Sequence, residues 1–286
     1  MDVLDYTSIL HFSDLLNYLA ENFLCYLDIQ ALSLADPNIR KFLNKKHYDA
    51  QHVVLKRLTK IFGINDAIEL NKNLHKYKCY ISGSFIVQCV LDEYWINTDI
   101  DIYKQLEDNN DPLDPGIFCD DFTSIQCSYG LQYDFSGSAY KELPVNTDHY
   151  KHKLTATEVD LVSVWKPNPK SNMSYKTILE FIDHMFDIDA IKVAYDGNKI
   201  YIRHFYDLAT KNTTANISAY NYMKNVCDEH YEYLIDQVLW RIKKYTFRGF
   251  TIKENFDVEF EKLYKTLCEE RESKLNSKTR KIKNDF

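Results

Sequence analysis

The stretch that most constrains this sequence runs from Tyr77 to Tyr103. Tyr77 to Ser82 reads as a strand that ends at Gly83. From Ser84 to about Trp95 the chain is mostly apolar, as expected of a helix buried on most sides. Ile96 to Tyr103 reads as a second strand. Side chains alternate along a strand, so Asp99 and Asp101 share one face and Ile100 and Ile102 the other. Gly is rare, at 7 residues in 286, and Gly83 is expected to hold a backbone conformation that other residues resist.

This order has a chemical meaning. The N-terminus of a helix carries free N–H groups that favour phosphate. Gly83 has no side chain to keep a phosphate away, and Ser84 offers a hydroxyl and reads as the N-cap. Two carboxylates at i and i+2 give magnesium the hard oxygen ligands that it takes alongside substrate phosphates. Together the two pieces predict a site for a metal-bound nucleoside triphosphate.

The sequence Ile81-Ser82-Gly83-Ser84, then an apolar helix, then Thr98-Asp99-Ile100-Asp101-Ile102, resembles the nucleotidyltransferase superfamily typified by DNA polymerase beta. The gap of residues 85–98 is slightly longer than usual. The resemblance implies an α+β fold: a mixed sheet with helices, flanked by an N-terminal helical module and a C-terminal helical region. It implies nucleotidyl transfer from a nucleoside triphosphate such as ATP to a hydroxyl by two Mg2+ (or Mn2+) ions, one activating the acceptor and one holding the triphosphate. Asp99 and Asp101 would bind metal, and a third carboxylate on a later strand would complete the acceptor side. Asp160, between Val159 and Leu161, fits that role best, and Asp187 and Asp189 are its rivals. The acceptor stays open between RNA, a protein hydroxyl and a small molecule, and an inactive descendant that only binds is the alternative.

Phe186 to Gly197 resembles a segment of nucleotidyltransferase-like proteins of large DNA viruses, and so does the basic run Arg241, Lys243, Lys244 and Arg248. The resemblance implies a viral or virus-derived source. The four basic residues could contact phosphates or sit at a helix C-terminus that favours cations. Lys192 could neutralise a triphosphate or pair with an Asp on a neighbouring strand.

Net charge is −7, which argues against a broadly basic nucleic-acid coat. The 7 cysteines are scattered with no CxxC pair, so neither a disulfide framework nor a zinc site is expected. No apolar run approaches the roughly 20 residues of a membrane helix. The acidic Met1-Asp2-Val3-Leu4-Asp5 lacks the charged start of a signal peptide. A reducing cytoplasm, a host's if the source is viral, is the expected compartment. His149 and His152 show no evident carboxylate partner in the sequence.

Residues 1–75 read as a helical module, with Leu15, Leu16, Leu19, Phe23, Leu24 and Leu27 at helical spacing. Phe23 to Leu34, followed by Arg40-Lys41-Phe42, resembles the later helices of an F-box without its Leu-Pro opening. The residues themselves read as a plain helical cap on the central domain; the F-box resemblance is the alternative and implies a ubiquitin-ligase adaptor as partner. Residues 76–210 read as the α/β domain, with an acidic loop at 107–121 and a strand from Lys153 to Trp165. Asp187 to Ile202 reads as two strands turned at Asp196-Gly197-Asn198. Residues 211–286 read as helical, with helices at 217 to about 244 and about 256 to 272 and a basic tail.

Overall fold

The computed structural model describes residues 6–96, 99–106, 116–125, 145–165, 175–216 and 231–255, with Lys262 and Lys265. The loop at 107–115, residues 217–230 and nearly all of the expected helix and tail after 255 lie outside the described residues.

Five helices come first: α1 (Tyr6–Asn22), α2 (Tyr26–Ala35), α3 (Lys45–Tyr48), α4 (Ala50–Phe62) and α5 (Ile64–Lys76). Asp36 accepts a hydrogen bond from the Asn38 N–H, and Pro37 opens a 3-10 turn to Lys41 rather than a full α-helix. Asp49 caps α4 by accepting from the Gln51 N–H. Gly63, at φ 87°, ends α4 and opens α5, so Asn65 and Asp66 lie in the first turn of α5 rather than capping it.

The α/β part follows as β1 (Cys79–Ser82), α6 (Ser84–Leu91), β2 (Ile100–Leu106), β3 (Phe122–Ile125), β4 (Val145–His152), β5 (Glu158–Trp165), α7 (Ile178–Met185), β6 (Val193–Tyr195), β7 (Ile200–Ile202) and α8 (Phe205–Thr210). These strands form one seven-stranded mixed sheet in the order β3-β4-β5-β2-β1-β6-β7. Only β2 and β5 run parallel. The fold is therefore α+β, with helices on both faces of a mixed sheet.

One face carries Cys79, Ile81, Ile100, Ile102, Val159 and Leu161, which share a single core with α6 and with Leu58, Phe62, Leu70 and Leu74 of α4 and α5. The other face carries Tyr80, Tyr103, Val162 and Val164 and is covered by Ile178, Phe181 and Ile182 of α7. α6 is buried at every position from Ser84 to Val90, so the apolar run after Gly83 is a helix enclosed all round. Asn71 ties α5 to the far edge of the sheet: its Nδ2 donates to the Gly197 carbonyl at 3.0 Å, and Tyr195 donates its hydroxyl to Asn71 Oδ1 at 2.5 Å.

Three sequence expectations change here. The strand expected over 153–165 begins at Glu158, because His152, Thr155 and Thr157 bond to one another in a turn and Ala156 takes φ 56°. The hairpin at Asp196-Gly197-Asn198 is present, but its first strand begins at Val193. Asp187 to Ile191 instead forms a bridge and a 3-10 turn, held where Thr213 Oγ1 accepts the Ala190 N–H at 2.9 Å. Residues 211–286 are not helical throughout. β8 (Asn212–Asn216) and β9 (Thr251–Asn255) pair in parallel around α9 (Tyr231–Phe247). Polar Asn and Thr residues hid β8 from the apolar pattern. Among the described residues no helix is long and apolar enough to cross a membrane.

Because α4 and α5 share a core with the sheet, removing residues 1–75 is expected to expose that apolar face. The remainder should aggregate on expression. A truncated protein that stays monomeric by light scattering and melts cooperatively would contradict this packing. In the full chain, Leu58→Ala should cost about 2–5 kcal/mol in a urea titration, the usual range for a buried leucine.

Candidate active site

The site grows from the end of β1. Gly83 sits at φ 72° and ψ −143° and is itself the N-cap of α6, which displaces Ser84 to the first helical position. A Cβ built on Gly83 would stand 3.6 Å from Asp101 Oδ2 and 3.8 Å from the Phe186 ring. The turn therefore lies beside the Asp101 carboxylate, close enough that a Cβ on Gly83 would be in van der Waals contact with it.

Register supplies the rest. Ser82 lies opposite Asp101 on the antiparallel β1–β2 pair, and Asp101 lies opposite Asp160 on the parallel β2–β5 pair. Residues opposite each other in a sheet project from the same face on strands about 4.8 Å apart. Asp101 and Asp160 are thus neighbours on the α7 face, at the end of the sheet where α6 begins. Asp99 precedes β2 and is exposed.

The charges are coupled. Burial, then the nearby Asp99 and Asp160, push the Asp101 carboxyl up to about 7, against the pull of Lys244 and Arg241. Burial also raises Asp160, while a hydrogen bond from His149 lowers it. His149 Nδ1 lies 2.7 Å from Asp160 Oδ1. Opposite the carboxylates stands α9. Arg241, Lys244, Tyr245 and Arg248 recur at helical spacing and so share one face. Burial lowers Lys244, with Asp99 and Asp101 acting the other way. Arg241 donates from Nη1 to Asp187 Oδ2 at 2.9 Å, and Asp187 is buried. Burial works against the charge on Arg241, but Asp187 outweighs it and its pKa is raised. The Arg248 guanidinium lies 4.1 Å from the centroid of the Trp95 ring and 5.0 Å from that of Tyr245, and its buried Nη1 has no hydrogen-bond partner. Lys243 is exposed and falls off this stripe.

Lys192 is engaged elsewhere. It is buried, and its Nζ lies 2.8 Å from Asp189 Oδ1, the pairing weighed against a triphosphate contact. The same oxygen accepts from Asn216 Nδ2 at 2.7 Å. Asp187 and Asp189, the rivals of Asp160, thus each hold a cation. Sequence reasoning missed the partners of two histidines. His149 pairs with Asp160, and His152 Nε2 lies 3.0 Å from Asp66 Oδ2. Only the strand register could have revealed the first.

Ligand-type side chains whose donor atoms all lie within 4.8 Å of one another occur, among the described residues, as Asp66, Cys119 and Asp121, and as Asp189, His204 and Asp207. Asp99, Asp101 and Asp160 are not such a group: they are coupled through space, and Asp160 is turned to His149.

No protein-family model matches the chain, and no curated protein matches it. A solved structure of a CCA-adding enzyme in its apo form is similar over 78% of this chain and 46% of that one, with 16% sequence identity and a TM-score of 0.40. The chain thus spans about half the length of that enzyme.

Two predictions follow from the geometry alone. The proton affinity of Asp101 is raised on folding, so its contribution to stability is present below its unfolded value of 3.8 and is lost as the pH rises towards about 7. Metal-free wild type should therefore lose melting temperature between about pH 4 and 7, and Asp101→Asn should flatten that loss; parallel melting curves for the two would contradict the burial. Gly83→Ala should cost about 1–3 kcal/mol in a urea titration, the usual cost of forcing an L-residue into a backbone conformation reserved for glycine.

Proposed function

We propose that this chain is a metal-dependent nucleotidyltransferase, moving a nucleotidyl group from a nucleoside triphosphate to a hydroxyl acceptor. The observation that carries this reading is the placing of Asp101 beside the Gly83 turn, where its Oδ2 would lie 3.6 Å from a Cβ built on the glycine, with Asp160 next to it in register. A phosphate-accepting turn and paired carboxylates serve one ligand well, a cation-bound triphosphate.

Each group then has a task. The open backbone at Gly83 and the N-terminus of α6 receive phosphate oxygens, with the Ser84 hydroxyl beside them. Asp99, Asp101 and Asp160 are the residues that would hold Mg2+ or Mn2+. The donor set fits, being all hard oxygen, and the raised proton affinity of Asp101 marks a place where a cation is favoured. A bound divalent ion supplies Lewis acidity to the phosphate and the acceptor hydroxyl. Lys244 and Arg248 meet the phosphate charge from the opposite wall. Arg248 also offers an unpartnered Nη1 and an aromatic stack on Trp95. Arg241, held by Asp187, fixes the placement of α9. His149 orients Asp160 on the acceptor side.

The test is a screen of the four ribonucleoside triphosphates, labelled at the α-phosphate, against RNA, protein and small-molecule hydroxyls with Mg2+ or Mn2+. Asp101→Asn should abolish transfer, and Asp160→Asn should reduce transfer more than triphosphate binding. Lys244→Ala with Arg248→Ala should weaken triphosphate binding, by a factor that shrinks at high salt. Metal-dependent binding without turnover for any acceptor would replace the enzyme with a binding protein of the same fold.

A second reading has one observation in its favour. α1 leaves Phe12, Leu15, Tyr18 and Leu19 exposed, and Phe23 follows at its end. Such an apolar stripe suits the adaptor subunit of a cullin-type ubiquitin ligase, which an F-box would bind. Co-purification with that adaptor, lost in Leu15→Glu and Phe23→Glu, would support it.

A further inference from the structure

A second basic pocket lies away from the carboxylates, where the helical module meets α6. Its volume is about 190 Å³, and its walls come from the end of α1, from α2, from α4 with the residues before it, and from the chain leaving α6. By liquid volume that is room for about six waters, enough for a phosphate or pyrophosphate group. The charged side chains that line it are Glu21, Lys46, Lys56, Arg57 and Asp92, with His47 and His52 beside them. Three permanent cations thus face two carboxylates, and Glu21 is already taken by Lys46 at 2.9 Å.

Two of these side chains have a buried nitrogen with no hydrogen-bond partner. Arg57 is 5% exposed. Its Nη1 donates to the Glu93 carbonyl and, at 3.4 Å, to Gln88 Oε1, while Nη2 has no hydrogen bond and stands 3.8 Å from Asp92 Oδ1. The guanidinium is fixed by the Tyr94 ring, 4.0 Å from its centroid. His47 Nε2 is likewise buried and unpartnered. A buried polar nitrogen without a hydrogen bond is costly, and such groups normally find a partner.

We propose that this pocket binds a small phosphate anion, inorganic phosphate or pyrophosphate or the phosphate of a monoester, on Arg57 Nη2 and His47 Nε2, with Lys56 at the mouth. Arg57 presents a planar fork suited to phosphate oxygens, and the imidazole adds a directed donor. Burial and the neighbouring Lys46, His52 and Lys56 lower the pKa of His47, with Glu21 opposing, and an anion would reverse that balance. The helical module, read from sequence as a cap, thereby carries half of a ligand site. The chain leaving α6 links the pocket to the carboxylate cleft: Asp92 and Tyr94 line the pocket, while Trp95 stacks under Arg248. The proposal does not rest on the nucleotidyltransferase reading.

The test titrates the full chain with sodium pyrophosphate, inorganic phosphate or ribose 5-phosphate, in EDTA so that no divalent ion is present. It follows the histidine ring signals by NMR and the melting temperature by scanning fluorimetry. Pyrophosphate is expected to shift the His47 signal, raise its pKa and raise the melting temperature, and to do so equally in the Lys244→Ala, Arg248→Ala double variant. Lys56→Gln, at an exposed position, should weaken binding about tenfold, the loss of one charge-assisted contact. Arg57→Lys should weaken it further while remaining folded by circular dichroism. Tighter binding of ribose 5-phosphate than of pyrophosphate would assign the site to an organic phosphate, and the reverse order to an inorganic one. An unmoved His47 signal with all three probes overturns the proposal. So does a response that Lys56→Gln and Arg57→Lys leave intact, which would mean general ionic strength. Loss of binding in the Lys244→Ala, Arg248→Ala double variant would move the site to the carboxylate cleft and overturn it equally.

Discussion

The left-handed turn at Gly83 is the constraint on which the rest of the site depends. At φ 72° the chain leaves β1 and enters α6 within one residue. A residue with a side chain would pay in strain for that backbone and would point a Cβ at Asp101. The turn fixes two things together: the direction of α6 and the close approach of its backbone to the Asp101 carboxylate. The sheet register then needs no further device, since Ser82, Asp101 and Asp160 lie in one row across β1, β2 and β5.

Electrostatics in that row is left deliberately uneven by the fold. Burial and two neighbouring carboxylates raise the proton affinity of Asp101, and Lys244 of α9 and Arg248 just after it oppose their charge. Three other charged groups are paired locally: Arg241 with Asp187, Lys192 with Asp189, His152 with Asp66. The contrast separates structural ion pairs from the groups whose charge awaits a ligand. The helical module belongs to the same economy of space, because Leu58, Phe62, Leu70 and Leu74 fill the core behind α6 and so hold the turn in place.

Much of this was legible in the sequence, for a physical reason in each case. The run from Ser84 to Val90 is apolar all round, which only an enclosed helix explains, and Asp99 and Asp101 alternate with Ile100 and Ile102. The Asp-Gly-Asn turn at 196–198 announced its hairpin. What stayed hidden was long-range or polar. Nothing local tells His149 that its neighbour is Asp160, since that pairing is created by the β4–β5 register. β8 is built of Asn, Thr and Ala, so it lacks the apolar alternation that marks a strand, and its partner β9 lies beyond α9. The buried pairing of Lys192 depends on a 3-10 turn at Asp189 that was read as strand. The unpartnered donors of Arg57 and His47 become visible only when α4 is packed on α6.

The central claim is that the carboxylate row and the Gly83 turn form one site for a cation-bound triphosphate. Isothermal titration calorimetry of a non-hydrolysable nucleoside triphosphate, with and without Mg2+, into wild type and Asp101→Asn tests it most directly. The account predicts saturable binding to wild type that requires Mg2+ and is lost in Asp101→Asn, while that variant melts cooperatively without metal. Binding that is equal with and without Mg2+, or equal in the two proteins, would contradict it.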